Sequence, residues 1–378
     1  VSSIVEIWGF LSDGRPTTGM GQRVIHVGCG GWGAMWCHNF LPVNVEDDTI
    51  EVVAAVDRDQ DALQNAREGL GLPPERCYTD AERAFAVHDA EFATLVVPPG
   101  ERKPLVGTAL EYDLDLLTEK PIAPTLEEAV EVAETVESAG AKMAVTMSHR
   151  FDRDKTTLRR RIQTGEFGPL DYLVMRFTQR YRQRDEWVAG RPYEMEHPLL
   201  VEGGVHHLDL LASLAGAKCE RLYARTWNPE WSDFAGDSQV LVTMEFENDT
   251  RATYEGATTN AVALNGWENE YIRAECRGAT LELDARELTA YPYDPDAEPR
   301  HNAAGPPEGE TIPLDDGEKW MNAWLVERFT EWRSGDEPME TRVSENLQSM
   351  ALIEAAMRSS EREESVMVQE LLEQTRGE

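Results

Sequence analysis

Arg23-Val-Ile-His-Val-Gly28-Cys-Gly30-Gly-Trp-Gly33 is a short apolar run followed by a glycine-rich loop of the form G-x-G-x-x-G. Gly28 permits a tight turn, Gly30 lets backbone approach a pyrophosphate, and Gly33 lets a helix pack on the preceding strand. The free N–H groups at the start of that helix can bind phosphate. We therefore predict a dinucleotide site formed by Gly28, Cys29, Gly30, Gly31, Trp32 and Gly33.

Asp57 lies at the end of the next apolar run, 24 residues after Gly33. A carboxylate at this position accepts hydrogen bonds from the adenine ribose hydroxyls and repels a 2′-phosphate. Arg58 favours the opposite choice, because a guanidinium can pair with that phosphate. We expect NAD as the cofactor, with NADP possible. A tight turn beside a surface Asp is the alternative that needs no ligand.

Apolar runs alternate with helical periods through the first 150 residues. The alternation predicts a Rossmann domain, an α/β fold with a doubly wound parallel sheet. The predicted strands are 23–28, 51–57, 91–97, 113–118 and 141–147, and the predicted helices are 31–40, 59–69, 101–111 and 125–139.

Strand patterns dominate from about residue 150 and predict a C-terminal α+β domain with a mostly antiparallel open sheet. The predicted strands are 170–180, 218–227, 238–246, 250–258, 269–276 and 279–283, and the predicted helices are 153–164, 204–215, 318–333 and 343–360. We expect a leader at 1–19, with Met20 as the alternative start. The expected domains are 20–149 for the dinucleotide, 150–317 for substrate and oligomerisation, and 318–378 as helices that pack back on both.

The formal net charge is −34, and only six of the 36 basic residues are lysines. Such a surface repels phosphate backbones, which argues against nucleic acid and anionic membranes as partners. It suits a halophilic cytoplasm, where salt screens self-repulsion, although an acidic mesophilic protein is the alternative. The five cysteines form no C-x-x-C pair, which indicates a reducing compartment and no structural zinc. No apolar run approaches the roughly 20 residues of a membrane span.

Thr118-Glu119-Lys120-Pro121 closes the predicted fifth strand. Ligands of open parallel sheets bind beyond the carboxyl ends of the strands, so Lys120 is a candidate catalytic group. A surface lysine is the alternative.

A second cluster is Glu202-Gly-Gly-Val-His206-His207-Leu-Asp209. If a helix begins near Gly203, Glu202 lies one turn from His206 and can orient it for proton transfer. A metal site and a capped helix with buried histidines are the alternatives, and we interpret His207 as a packing residue. We assign no metal ligands.

Together these residues resemble the Gfo/Idh/MocA oxidoreductases, named for glucose–fructose oxidoreductase and inositol dehydrogenase. The resemblance covers residues 20–360 and rests on the glycine loop, the V-x-P-P strand end at 97–99, Glu119-Lys120-Pro121, and the stretch 202–209. It implies that Lys120 and His206 are paired catalytic groups supported by Glu202. It adds Pro98, Pro99, Glu119 and Lys120 to the cofactor site.

The resemblance also suggests where substrate binds. Arg150 lies in a segment similar to the family's entry into its second domain, and we expect it to contact substrate. The stretch 180–193 is this chain's own, and in it Trp187, Arg191 and Tyr193 are further candidates. Arg102 stands where the family commonly has His.

These features predict hydride transfer between nicotinamide and a secondary alcohol of a sugar, cyclitol or related polyol. An NAD-dependent glycosidase of the same fold, a non-enzymatic dinucleotide sensor and a metal-dependent hydrolase are the alternatives. An exposed sheet face in the second domain favours a homo-oligomer, a dimer or tetramer.

Overall fold

The computed structural model describes residues 21–184, 186–187, 190–297 and 307–377. The expected leader at 1–19 lies outside the described residues. The described chain forms two sheets, one of six strands and one of nine. No helix in these ranges is both long and apolar enough to span a bilayer.

The six-stranded sheet is parallel throughout and has the order β3-β2-β1-β4-β5-β6. Its strands are β1 Gln22–Val27, β2 Ile50–Val56, β3 Cys77–Tyr78, β4 Phe92–Leu95, β5 Asp115–Thr118 and β6 Met143–Val145. All four residues of β4 are buried, as expected when helices cover both faces of a parallel sheet. The predicted doubly wound parallel sheet is confirmed.

The helices of this half follow the strands in sequence. They are α1 Trp32–Met35, α2 Leu41–Glu46, α3 Leu63–Gly69, α4 Ala81–Val87, α5 Arg102–Glu111 and α6 Leu126–Ala139. A π-helical stretch, Trp36–Phe40, joins α1 to α2. At the start of α6, the Thr125 hydroxyl accepts a hydrogen bond from the Glu128 N–H, as a capping residue does.

The nine-stranded sheet has the order β14-β13-β12-β11-β7-β10-β9-β8-β15. All of its pairings are antiparallel except that of β7 with β10, so the predicted mostly antiparallel sheet is confirmed. Two helices, α7 Arg153–Gln163 and α8 Val205–Ala215, pack against it. The strands are β7 Leu170–Thr178, β8 Cys219–Trp227, β9 Gln239–Phe246, β10 Arg251–Ala257, β11 Tyr271–Cys276, β12 Ala279–Asp284, β13 Glu287–Pro292, β14 Glu310–Ile312 and β15 Val366–Met367.

Three C-terminal helices, α9 Met321–Arg333, α10 Val343–Arg362 and α11 Val368–Arg376, contact both halves of the chain. Phe329 of α9 packs edge-on against Phe92 of β4, with ring centroids 5.3 Å apart. Helix α10 packs on α6 from one half and on α8 and β8 from the other. The end of β5 lies close to the start of α8, since Lys120 Nζ donates to the Glu202 carbonyl.

Candidate active site

The glycine loop leaves β1 under tight steric constraint. Gly28 has a φ of +99°, and a Cβ atom there would lie 2.1 Å from the Val96 carbonyl oxygen. A Cβ atom on Gly33 would lie 2.0 Å from the Gly28 carbonyl oxygen. Gly30 and Gly31 meet no such clash, so their backbone is open to a ligand. The loop thus fits a pyrophosphate. Its glycines leave the backbone uncovered at the start of the helical segment, where the first N–H groups can bind phosphate.

Asp57 holds this loop from the end of β2. Its Oδ2 accepts hydrogen bonds from the backbone N–H of Cys29 at 2.7 Å and of Gly30 at 3.1 Å, and its Oδ1 accepts one from Asp59 N–H at 2.9 Å. Arg58 is largely exposed and pairs with Glu101 at 3.0 Å. Asp57 therefore lies beside the loop, where a ribose-binding carboxylate is expected.

Glu119 is buried beneath the same loop and accepts hydrogen bonds from residues in distant parts of the chain. Its Oε1 accepts hydrogen bonds from the indole N–H of Trp32 at 2.8 Å and of Trp36 at 2.9 Å. The Asn322 amide donates to the same oxygen at 3.3 Å. The sequence pattern suggested Glu119 and Trp32 but missed Trp36 and Asn322, because Asn322 lies 203 residues from Glu119 along the chain.

Pro98 and Pro99 follow β4, and Pro99 opens a short 3₁₀ turn, Pro99–Glu101. Arg102 comes next and is almost completely buried. Its guanidinium donates to the Val97 carbonyl at 2.8 Å and to the Lys120 carbonyl at 3.1 Å, which ties the end of β4 to the end of β5. Burial lowers the pKa of Arg102 to about 10, so it stays protonated at neutral pH.

Lys120 reaches from the end of β5 to the second half of the chain. Its Nζ donates to the Glu202 backbone carbonyl at 2.9 Å and to the Glu202 carboxylate at 3.2 Å. The same carboxylate pairs with Arg191. Burial opposes ionisation of Glu202, but Lys120 and Arg191 outweigh it and lower the pKa of this carboxyl.

His206 follows one turn later, in the first turn of α8, after a π-helical stretch, Leu200–Gly204. Glu202 contacts Lys120 and Arg191, and His206 Nδ1 has no hydrogen-bond partner among the described residues. The His206 ring instead packs on His149, with centroids 4.2 Å apart. Burial, with His149, Lys120 and His207 nearby, lowers the pKa of His206 well below its usual range.

His207 is completely buried, as expected of a packing residue, but its surroundings are polar. Its Nδ1 lies 2.7 Å from the Tyr254 hydroxyl, and its Nε2 lies 3.5 Å from Glu270. Glu270 also lies 3.4 Å from His149 and 2.9 Å from the buried Lys155. No local pattern points to Glu270 or Lys155, since each becomes notable only through its contacts in the fold.

The four substrate candidates occupy different surroundings. Trp187 is half-buried and stacks on Tyr181 at 5.1 Å, with Trp267 at 6.3 Å. Tyr193 is completely buried, and its hydroxyl donates to the Gln183 carbonyl at 2.5 Å, so it positions this loop from beneath. Trp187 is thus the aromatic side chain of the pair that is open to a ligand.

The two arginines are held by carboxylates. Arg191 pairs with Glu202, which also contacts Lys120, and the region around these three side chains is the cleft. Arg150 Nε donates to Asp209 at 2.7 Å, and this pair lines a separate cavity of about 530 Å³ with α10 residues such as Ser349. Arg150 is therefore held by Asp209 beside this cavity, and its predicted contact with substrate stays a prediction.

Comparison with known proteins covers both halves of the chain. Residues 23–147 match the sequence model described as "Oxidoreductase family, NAD-binding Rossmann fold", and residues 156–276 match the GFO/IDH/MocA C-terminal domain. An uncharacterized protein, y4oX of Sinorhizobium fredii, is 45% identical over 94% of this chain and 98% of its own length. The D-apiose dehydrogenase of Paraburkholderia graminis is 24% identical over 91% of this chain and 89% of its own.

The fold also matches solved structures. An oxidoreductase from Agrobacterium radiobacter, crystallised with NAD⁺, L-tartaric acid and magnesium, superimposes with a TM-score of 0.77 over 93% of this chain and 99% of that one. The sequences are 19% identical, so this likeness concerns the fold alone.

Proposed function

The chain belongs to the GFO/IDH/MocA family of NAD-binding oxidoreductases, and on that premise we propose that it transfers hydride between NAD and a secondary alcohol of a sugar, cyclitol or related polyol. The observation that carries the proposal is the contact between Lys120 and Glu202. It joins the end of a Rossmann strand to the turn before His206. Lys120 is thereby close enough to His206 to contribute, after burial and His149, to the lowered pKa of that histidine.

The roles of the side chains follow from their positions. Bound NAD supplies the acceptor for the hydride. His206 takes the proton of the substrate hydroxyl, since it follows one helical turn after Glu202, which contacts Lys120. Lys120 donates a hydrogen bond to the same oxygen and stabilises charge as it develops there. Glu202 holds the Lys120 ammonium in place through its carboxylate and its backbone carbonyl.

Substrate choice rests on the aromatic side of the cleft. Trp187, Tyr181 and Trp267 form a continuous group of rings. Aromatic faces provide apolar contact area against a ligand. The Trp267 indole N–H already donates to the Tyr181 hydroxyl at 3.1 Å, and that hydroxyl keeps its own proton to donate. A relative acting on D-apiose supports a sugar as the substrate class.

A substrate panel tests the proposal. The protein is incubated with NAD and with D-apiose, myo-inositol and common aldoses, in low and in molar salt, and NADH absorbance is followed. We expect NADH with at least one of them. His206→Ala and Lys120→Ala should each lower kcat by roughly 10²–10⁴-fold. The NAD affinity of His206→Ala should change little, because His206 lies in the second half of the chain and the glycine loop and Asp57 lie in the first.

His38→Ala, at an exposed position, is the matched control and should keep full activity. Turnover in His206→Ala equal to that of the unaltered protein would assign this histidine a structural role. Hydrolysis of a glycoside without net NADH would indicate the glycosidase reaction. NAD binding with no turnover of any kind would indicate a sensor.

A further inference from the structure

A group of three potential metal ligands lies directly behind His206. His149 belongs to the short turn Ser148–Phe151, His207 to α8, and Glu270 to the residue before β11. All three are buried, and one ligand atom of each lies within 4.8 Å of the other two. They come from three separate elements, so the fold alone brings them together.

Their spacing suits a metal ion better than direct hydrogen bonds. Glu270 Oε1 lies 3.4 Å from His149 Nε2 and 3.5 Å from His207 Nε2. Within the part of the chain that the structure describes, neither Nε2 atom makes an aligned hydrogen bond. Zinc bonds of about 2.0–2.1 Å to nitrogen and oxygen place tetrahedral ligands about 3.3–3.4 Å apart. We propose that His149, His207 and Glu270 bind a divalent transition-metal ion, with Zn²⁺ as the expected occupant.

Further partners hold two of the three ligands. His207 Nδ1 lies 2.7 Å from the Tyr254 hydroxyl, which fixes the ring and leaves Nε2 for the metal. Lys155 Nζ lies 2.9 Å from Glu270 Oε2, the oxygen opposite the one that faces the histidines. Metal-binding side chains are commonly oriented by such outer contacts. The lysine therefore steadies the carboxylate from behind.

The charged side chains around Glu270 have a net negative charge that favours a cation. Lys155 lies close to Asp152 and Asp154 as well as Glu270, at 3.3, 3.4 and 2.9 Å. Arg286 pairs with Asp152 at 2.8 Å. Three carboxylates against two cationic side chains leave one negative charge when all are ionised. A divalent ion bound by Glu270 and two neutral imidazoles would therefore lie in surroundings of net negative charge, although the Lys155 ammonium is close.

The type and number of these ligands are closer to those of catalytic zinc sites than to those of structural zinc sites. Two imidazoles and one carboxylate are a known catalytic set, in which the fourth position is held by water or substrate. The His149 ring packs on His206 with centroids 4.2 Å apart, so the ion would lie next to the cleft.

Metal analysis tests this site without any need for a substrate. The protein, prepared without a histidine tag, is stripped with a chelator, loaded with Zn²⁺, desalted and analysed for its elements. We expect about one tightly held ion per chain. Loading with Co²⁺ should give visible absorption bands typical of tetrahedral nitrogen and oxygen coordination.

His149→Gln removes one ligand and leaves the Lys155–Glu270 pair intact, so we expect this variant to fold even if Glu270→Gln does not. Both variants should lose at least nine-tenths of the bound metal and the Co²⁺ bands. His38→Gln, an exposed control, should keep both. Circular dichroism confirms that each variant is folded.

Two results would overturn the proposal: an unaltered protein that retains no Zn²⁺ after loading, or folded His149→Gln that retains as much as the unaltered protein. The first would leave Lys155 and Glu270 as an ion pair that supports the histidines. The second would place the ion elsewhere. Neither depends on hydride transfer, so the site and the proposed function can fail separately.

Discussion

Replacing Asp57 with Ala should weaken NAD binding and reduce the preference for NAD over NADP. The carboxylate accepts hydrogen bonds from Cys29, Gly30 and Asp59, at 2.7, 3.1 and 2.9 Å. Hydrogen bonds to charged groups contribute about 1.5–3 kcal/mol each, but water replaces much of this at a half-buried site. Because the loop is then held less firmly, we expect the binding free energy of NAD to weaken by about 1–2 kcal/mol. NAD affinity should fall roughly 5- to 30-fold, because 1.4 kcal/mol is a factor of ten.

The kcat/KM value with NADP should change in the opposite direction and rise. A carboxylate and a 2′-phosphate about 6 Å apart repel each other by about 3 kcal/mol at an effective dielectric constant of ~20. Removing the carboxylate removes this repulsion, and exposed Arg58 remains to pair with the phosphate. The ratio of kcat/KM for NAD to that for NADP should therefore fall roughly 100-fold.

Steady-state kinetics with both cofactors measures this ratio. Asp57→Asn separates the two effects, since its amide oxygen still accepts from the loop while the charge is gone. Asp59→Ala, at the exposed neighbouring carboxylate, is the control and should leave the ratio unchanged. The reasoning fails if the unaltered protein prefers NADP, or if Asp57→Ala leaves the ratio unaltered.

Two further predictions concern the surface. With a formal charge of −34, the melting temperature should rise as KCl increases from dilute to molar, because the screening length falls from about 10 Å at 0.1 M to about 3 Å; a flat or falling curve would exclude the halophilic interpretation. The exposed face of the second sheet carries Tyr223, Trp227 and Leu241, so light scattering should give a dimer or tetramer, and Leu241→Lys should shift it toward monomer. A monomeric unaltered protein at micromolar concentration would exclude this interface.

The sheets were predictable where burial shows in the local pattern. Strands β2 and β4 are apolar apart from Glu51 and Thr94, and β9 alternates buried and exposed residues. The edge strand β3 was missed because it has two residues, too few for any period. Strands β13 and β14 were missed as well, since Glu287–Pro292 has a charged and a proline end and Glu310–Ile312 is three residues long.

The site residues were predictable only where neighbouring residues form a recognisable short motif. Gly28, Gly33 and Lys120 stand out through short motifs beside strand ends. The contact of Lys120 with Glu202 spans 82 residues, and no local pattern specifies it. The suggestion that Glu202 orients His206 assumed a regular helix between them. The structure instead has π-type turns at Leu200–Gly204, and the carboxylate points to Lys120.

That geometry also decides what Glu202 can do in the proposed reaction. The carboxylate lies between two cations, Lys120 and Arg191, which lower its pKa despite burial. It is therefore ionised at neutral pH and has no proton to give. Nor is it a good base, because a carboxylate stabilised in this way by two cations holds an added proton weakly. Its contribution must come through position: it fixes the ammonium of Lys120 at the end of β5, and it leaves proton transfer to His206.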